Sequence, residues 1–252
     1  VINTVNSLFG KLEEARDKLS NHLMPMIGPT THMLNFAEQR MVDNKELKDY
    51  LLWFIKKADF NISNINIEKS KEEIPERVKQ MILSDSNVPE EAKKSLQNQS
   101  FLESLNTLFV HEVRNSRGVE TYNLSEEQQS RGTQRVLGIE TAIQASVKNQ
   151  SFLAIDEMET SLNPMLLDFV IQNYLSEKSS GQLLITTHYD ALLNRVDKYL
   201  RKDSVWFTEK MPDGSTKVYS LKDVRGINKM RNFQKRYEAG SLVDAYPHIS
   251  KN

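Results

Sequence analysis

Residues 151–157, Ser-Phe-Leu-Ala-Ile-Asp-Glu, constrain this chain more than any other stretch of it. A short apolar run is what a strand buried on both faces of a parallel sheet looks like in sequence. Such sheets bind ligands beyond the carboxyl ends of their strands. Asp156 and Glu157 therefore stand where a nucleotide and its Mg²⁺ are expected. One acid at a strand tip suits Mg²⁺, a small hard cation that keeps part of its water shell. A second acid beside it can orient and deprotonate an attacking water. Two apolar residues followed by Asp-Glu fit equally a core strand that ends in solvated acids, so other features must choose between the readings.

About thirty residues further on, Gln182-Leu183-Leu184-Ile185-Thr186-Thr187-His188 repeats the design, ending in two hydroxyls and an imidazole. A helix fits between the runs. Pro164 suits its first turn, and Leu166, Val170 and Tyr174 form one stripe with Leu167 and Ile171 beside it. Strand, helix and strand with short links make a βαβ unit, whose two strand ends open on the same sheet edge. His188 is then expected near Asp156 and Glu157, although a histidine after a strand also serves as a surface or capping residue. Upstream, Ser130-Arg131-Gly132-Thr133-Gln134-Arg135 opens a segment with Val136, Ile139, Ile143 and Val147 at helical spacing. Ser130, Gly132 and Thr133 offer hydroxyls and backbone N–H groups to an anion at a helix start. An ordinary Ser/Thr-capped helix uses the same residues.

Taken in order, these motifs make Leu124 to Leu193 resemble the C-terminal half of an ABC-type ATPase head of the SMC/OLD-like kind. Ser130-Arg131-Gly132-Thr133-Gln134 is similar to the signature motif, Phe152 to Glu157 to Walker B, and Ser161-Leu162-Asn163-Pro164 to the D-loop. His188 matches the H-loop histidine. The chain resembles most the AAA-type ATP-binding proteins of prokaryotic abortive-infection and anti-phage systems. The shared features are Gly132-Thr133, Asp156-Glu157-Met158-Glu159-Thr160-Ser161-Leu162-Asn163-Pro164 and Thr186-Thr187-His188. They extend to Val205–Lys210, Val218–Leu221, Arg236–Gly240 and a segment at 47–68. The resemblance implies a P-loop-NTPase-like α/β head, with a largely parallel sheet flanked by helices, a helical insertion and a C-terminal β-hairpin. It implies ATP and Mg²⁺ as ligands, with Asp156 on the metal, Glu157 activating water and His188 on the γ-phosphate. Ser130, Gly132 and Thr133 would face the nucleotide of a second protomer, and Ser161 would lie in the loop between the two. A homo-oligomer, at least a dimer joined through ATP, is expected, together with an effector, toxin or nuclease protein that it regulates or scaffolds. The alternatives are an SMC-like DNA-processing or repair ATPase and a nucleotide-binding scaffold with little turnover.

The departures carry information too. The signature reads Ser-Arg-Gly-Thr where transporter-type heads have Ser-Gly-Gly, and Asn163 stands where related chains often have His. No Gly-x-x-x-x-Gly-Lys-[Ser/Thr] occurs anywhere, and no Q-loop is identifiable. Without a P-loop the β- and γ-phosphates lack their backbone cradle and lysine. The expectation is that the P-loop portion lies outside this chain, in a preceding part of a longer protein. Residues 105–252 are then the C-terminal half of the head, and residues 1–104 an insertion and pre-head segment.

Composition sets the outer limits. The 252 residues, 38% of them hydrophobic, can bury a substantial core. A net charge of −1 exerts no global pull on nucleic acid or anionic membrane. A nucleic-acid partner is thus unsupported, and the longest apolar stretch, near Tyr50 to Ile55, is far too short to span a bilayer. Zero cysteines exclude disulfides and thiolate metal sites and are compatible with a cytoplasmic protein.

Along the chain, the pattern predicts helices over 4–20 and 45–57 and a turn at Pro25 to Thr31. Ile62, Ile65 and Ile67 predict an edge strand. Residues 70–100 read as an exposed, mixed-charge helical insertion with Pro75 and Pro89 at helix starts. A hairpin is expected around 115–118 and another around Pro212-Asp213-Gly214. A basic helix is expected over 226–238. Trp206 and Phe207 are expected in the core, and Tyr237, Gly240, Tyr246 and Pro247 are expected to dock the tail on the sheet.

Overall fold

The computed structural model describes residues 19, 22–58, 60–85, 88–90, 93, 94, 96, 101–240 and 242. All but Leu19 of the helix expected over 4–20 lies outside these residues, as do Tyr246, Pro247 and much of the stretch after Pro89. The chain divides into two compact units, residues 30–145 and residues 1–29 with 146–252. The expected boundary at 104/105 instead cuts a strand, β2 (Phe101–Asn115).

In the 30–145 unit, helix α1 (Leu34–Asp43) buries Leu34, Ala37, Glu38 and Met41, one face at i, i+3, i+4 and i+7. The sequence pattern had not singled it out. Helix α2 (Lys45–Lys57) starts where expected. The Asn44 side chain caps it by accepting the Leu47 N–H at 3.0 Å. Three antiparallel strands follow in spatial order: β1 (Ile62–Glu73), β2 and β3 (Gly118–Ser125). Ile62 and Ile65 are three apart, so a regular strand would point them to opposite faces. A register irregularity between Ile62 and Asn64 corrects this, and both are buried.

β1 is an edge strand as expected, yet it runs on to Glu73 and takes in residues assigned to the helical insertion. Within that insertion Glu76–Ser84 forms helix α3, entered through Pro75, and the described residues Glu90, Lys93, Lys94 and Leu96 beyond Pro89 are helical as well. The β2–β3 hairpin closes at Asn115↔Gly118 with Ser116-Arg117 in the turn. Asn115 Oδ1 accepts the Arg117 N–H at 2.8 Å, and Gly118 takes φ +127°, a conformation that favours glycine. The core joins Leu34, Ala37, Met41, Leu51, Ile55, Ile62, Ile65 and Phe109 to Leu137 of helix α4 (Arg131–Asn149). A polar tie crosses it: Tyr50 Oη donates to Glu140 Oε1 at 2.6 Å and accepts from Gln144 Nε2 at 2.8 Å.

Gly138 on α4 shows how tightly this unit is packed. A Cβ there would lie 2.1 Å from Met33 Cβ and 3.0 Å from Met33 C. Gly138→Ala gains about 1 kcal/mol of helix propensity. Overpacking against a backbone neighbour costs about 1–3 kcal/mol and is expected to win. A lowered denaturation midpoint checks this; a raised one would show that the Met33 turn yields freely.

The second unit is built on parallel strands. β4 (Phe152–Ile155) pairs with β5 (Gln182–Ile185) from Phe152↔Gln182 to Ile155↔Ile185, with α5 (Pro164–Ser176) as the crossover. Asn163 caps α5 by accepting the Leu166 N–H at 2.8 Å, and Leu166, Leu167, Val170 and Ile171 form its buried stripe. Residues 23–27 flank β4 on its other side, through parallel bridges Leu23↔Phe152 and Ile27↔Ile155. This part of the chain is therefore extended, and the turn expected from Pro25 begins only at Pro29. Among the described residues the largest sheet is the three-stranded antiparallel one, contrary to the largely parallel arrangement expected.

Beyond β5, β6 (Trp206–Lys210) and β7 (Thr216–Ser220) form the expected C-terminal hairpin, with Gly214 at φ +83°. Phe207 is buried and stacks on Tyr219 and Tyr237, each with ring centroids 5.5 Å away. Trp206 is 59% exposed, its indole N–H donating to Asp203 O, so only one of the two aromatics expected in the core lies there. Alternation along a strand with one solvated face sends adjacent residues to opposite sides. The basic helix expected over 226–238 is broken: a 3₁₀ turn at Ile227–Lys229 is separated from α6 (Phe233–Glu238) by Asn232 in the left-handed conformation. Among the described residues no helix is long and apolar enough to cross a membrane.

Candidate functional site

At the carboxyl end of β4 the chain leaves the sheet while still held on both sides. The Asp156 N–H donates to Ile27 O at 2.8 Å, and the Thr186 N–H to Ile155 O at 3.0 Å. Glu157 then adopts φ 44°, a conformation that non-glycine residues rarely occupy and that costs about 1–3 kcal/mol. Its surroundings enforce it. The Glu157 N–H donates to Thr186 Oγ1 at 3.0 Å, the Met158 N–H to Thr186 O at 3.1 Å, and the Met158 side chain is fully buried beneath the turn. The Thr186 hydroxyl in turn donates to Asp156 Oδ1. One threonine at the tip of β5 thus fixes both acids at the tip of β4.

The imidazole arrives from the same edge. His188 Nε2 stands 3.8 Å from Glu157 Oε1, with 85% of the His188 side chain and 44% of the Glu157 side chain exposed. The His188 backbone N–H donates to Glu159 Oε1 at 2.6 Å. Burial opposes ionisation of Glu159, but bonds from the His188 and Glu159 backbone and the Thr187 hydroxyl outweigh it and hold the carboxyl below its ordinary range. Thr160 Oγ1 donates to Glu157 Oε2 at 3.4 Å. Ser161, at φ 63°, ends the turn exposed, one residue ahead of the stretch that caps α5.

Behind the site, Asp168 of α5 binds Arg195 and accepts the Tyr199 hydroxyl at 2.6 Å. Burial, helped by that bond to Asp168, pushes the Tyr199 hydroxyl well above its ordinary range. These bonds pin the 3₁₀ turn Asp190–Arg195, which carries the chain away from His188.

Asp156, Glu157 and His188 therefore belong to one cluster at one edge of one sheet, and Ser161 follows in the turn that leaves it. Ser130, Gly132 and Thr133 lie in the other unit and form a corner of their own. There Ser130 Oγ accepts the Thr133 N–H at 3.0 Å and shares a hydrogen bond with Thr133 Oγ1 at 2.8 Å. Ser130 is exposed and Thr133 buried, so the corner is a capped helix start with its serine at the surface. The capping reading is realised in the structure, and it leaves an anion-binding role open, because a cap satisfies only part of a helix N-terminus.

Sequence reasoning missed three contributors: Thr186, Glu159 and the flanking segment 23–27. A hydroxyl closing an apolar strand beside a second strand's acids was a usable signal for Thr186. Glu159 gave none beyond its place in the motif.

The donor set suits a Mg²⁺–nucleotide. Carboxylates and hydroxyls are the hard oxygen ligands Mg²⁺ takes, and among the described residues no set of three His, Cys, Asp or Glu side chains forms a metal cage. Mg²⁺ in phosphoryl-transfer sites is bound by one or two carboxylates plus the substrate's phosphates, which needs no such cage.

The protein is thus of mixed α/β class, with a βαβ unit that brings paired acids, a hydroxyl and an imidazole to adjacent strand ends. Residues 28–194 match the family model described as "AAA domain, putative AbiEii toxin, Type IV TA system", and the chain belongs to that family. The match runs from Gly28, at the end of the segment flanking β4, past His188 and includes both corners. No curated protein matches the chain.

Proposed function

We propose that this protein is the ATP-hydrolysing head of an abortive-infection or toxin–antitoxin system, working as a dimer that closes around ATP and Mg²⁺. What carries the proposal is the meeting of Asp156, Glu157 and His188 at the ends of two neighbouring parallel strands, with 3.8 Å between imidazole and carboxylate. Bound Mg²⁺ supplies charge neutralisation on the phosphates. Asp156, oriented by the Thr186 hydroxyl, would hold the metal's shell. Glu157 Oε1 takes a proton from the attacking water, and His188 Nε2 donates a hydrogen bond to the γ-phosphate. Ser130, Gly132 and Thr133 complete the site of the partner protomer, with Ser161 between the two copies. Hydrolysis then requires both protomers. Control of a toxin or other effector protein follows the family description and extends it to this chain.

No Gly-x-x-x-x-Gly-Lys-[Ser/Thr] occurs in the 252 residues, so this reading takes its P-loop from further polypeptide. β5 suits its reception. Among the described residues no strand pairs with its outer edge, and Leu184 there is 52% exposed. The edge borders a groove of about 470 Å³ lined by Leu183, Leu184, Ile185, Trp206 and Tyr237. Edge strands are normally protected by charge, proline or a bulge, and Gln182-Leu183-Leu184-Ile185 has none of these.

Ser130→Arg tests the shared site. Turnover in the protein as it occurs in the cell should fall by about 10²-fold or more, as when a positioned phosphate contact is lost, while the single protomer still binds ATP. Equal loss of binding and turnover would place Ser130 in its own protomer's site.

A further inference from the structure

We infer that Glu159 is a positioning residue that sets where His188 stands relative to Glu157; this rests on the reading of the site given above. The imidazole is 85% exposed, so packing does not locate it. What locates it is its backbone. The His188 N–H donates to Glu159 Oε1 at 2.6 Å, from a carboxylate two residues beyond Glu157 in the same turn. That turn is itself rigid: Met158 is fully buried, and the Thr160 and Leu162 N–H groups close back on Glu157 O at 3.0 Å and Glu159 O at 2.9 Å.

Two residues before His188, Thr186 is bonded to Asp156 and to the Glu157 N–H. The turn after β4 and the end of β5 are therefore joined at Thr186 and again at Glu159, which takes the His188 N–H as well as the Thr187 hydroxyl. The Thr186 point fixes the acids. The Glu159 point fixes the histidine to the acids. A loop carrying an exposed functional side chain opens locally unless its backbone bonds are protected, and here one side-chain acceptor performs that role for His188.

The chemistry needed from Glu159 is an acceptor at the right reach, with no requirement for charge or for contact with the nucleotide. The test uses three variants. Glu159→Gln keeps an acceptor oxygen at the same reach. Glu159→Ala removes it. Glu159→Asp keeps the charge and withdraws the oxygen by one methylene.

In the nucleotide-free protein, amide exchange over residues 186–189 should speed up about tenfold in the Ala and Asp variants, for one lost backbone bond, and stay within about twofold of wild type in Gln. With ATP and Mg²⁺, kcat should fall about tenfold or more in Ala and Asp, with KM little changed, and Gln should recover most of it. If Ala does not fold, Asp carries the comparison. Unchanged exchange in Asp, or a Gln variant as impaired as Asp, overturns the role. Absence of ATP turnover in the wild type would instead count against the proposed function, while the exchange arm, which uses no nucleotide, still decides the role of Glu159.

Discussion

Glu157→Gln is expected to slow ATP turnover by roughly 10²–10⁴-fold, the usual contribution of a positioned general base, while ATP binding persists and the nucleotide-bound dimer accumulates. Gln has nearly the size of Glu and can still accept a hydrogen bond from Thr160, so the turn survives and only the proton acceptor is lost. The backbone at Glu157 is already held at φ 44° by the Thr186 hydroxyl and the buried Met158, and neither bond depends on the side chain. Steady-state turnover and size analysis in ATP read the two halves of this result. A variant that turns over normally removes Glu157 from the chemistry. A variant that fails to bind ATP shows that Glu157 serves binding first.

Phe109→Ala is expected to destabilise the 30–145 unit by about 3–5 kcal/mol, the range for truncating a fully buried aromatic. Phe109 is 0% exposed and touches a cluster drawn from α1, α2, β1 and α4. No single one of these elements can move in to fill the space, because the others hold it. A total stability of about 5–15 kcal/mol leaves little margin for such a loss. Val119, 58% exposed on β3, provides the contrast, since surface substitutions of this kind usually stay within about 0.5 kcal/mol. Denaturant unfolding of the two alanine variants distinguishes them. Equal midpoints would show that the cluster collapses around the void.

The βαβ unit was legible because each of its parts leaves a strong local mark. Two apolar runs, a proline at the helix start and a stripe at helical spacing sufficed to bring His188 to the acids. Helix α2 and both hairpins were legible for the same reason, through an apolar stripe and Gly-containing turns.

What was missed depends on partners far along the chain. Leu23 to Ile27 contains Pro25 and too little alternation to read as extended, and only bonding to β4 shows its role. β1 beyond Ile67 is Glu-Lys-Ser-Lys-Glu-Glu, polar on both faces, and it is strand because β2 pairs with it as far as Phe101. The 226–238 helix carried a basic composition that gave no sign of the left-handed break at Asn232. In the site, the acids and the imidazole were readable as chemistry. Thr186 and Glu159 act by holding those groups; the hydroxyl at the end of an apolar run was a usable sign of the first, and nothing beyond its place in the motif marked the second.

The most direct test of the account mixes two dead proteins. Ser130→Arg protomers keep their acids and lose the signature corner, and Glu157→Gln protomers do the reverse. If each site takes its acids from one copy and its Ser130 corner from the other, a mixed dimer contains one intact site. Equal mixing should then restore about a quarter of wild-type ATP turnover, because half of random dimers are mixed and half of their sites are whole. Turnover that stays at the level of the separate variants, with mixed dimers shown to form, would contradict the shared site.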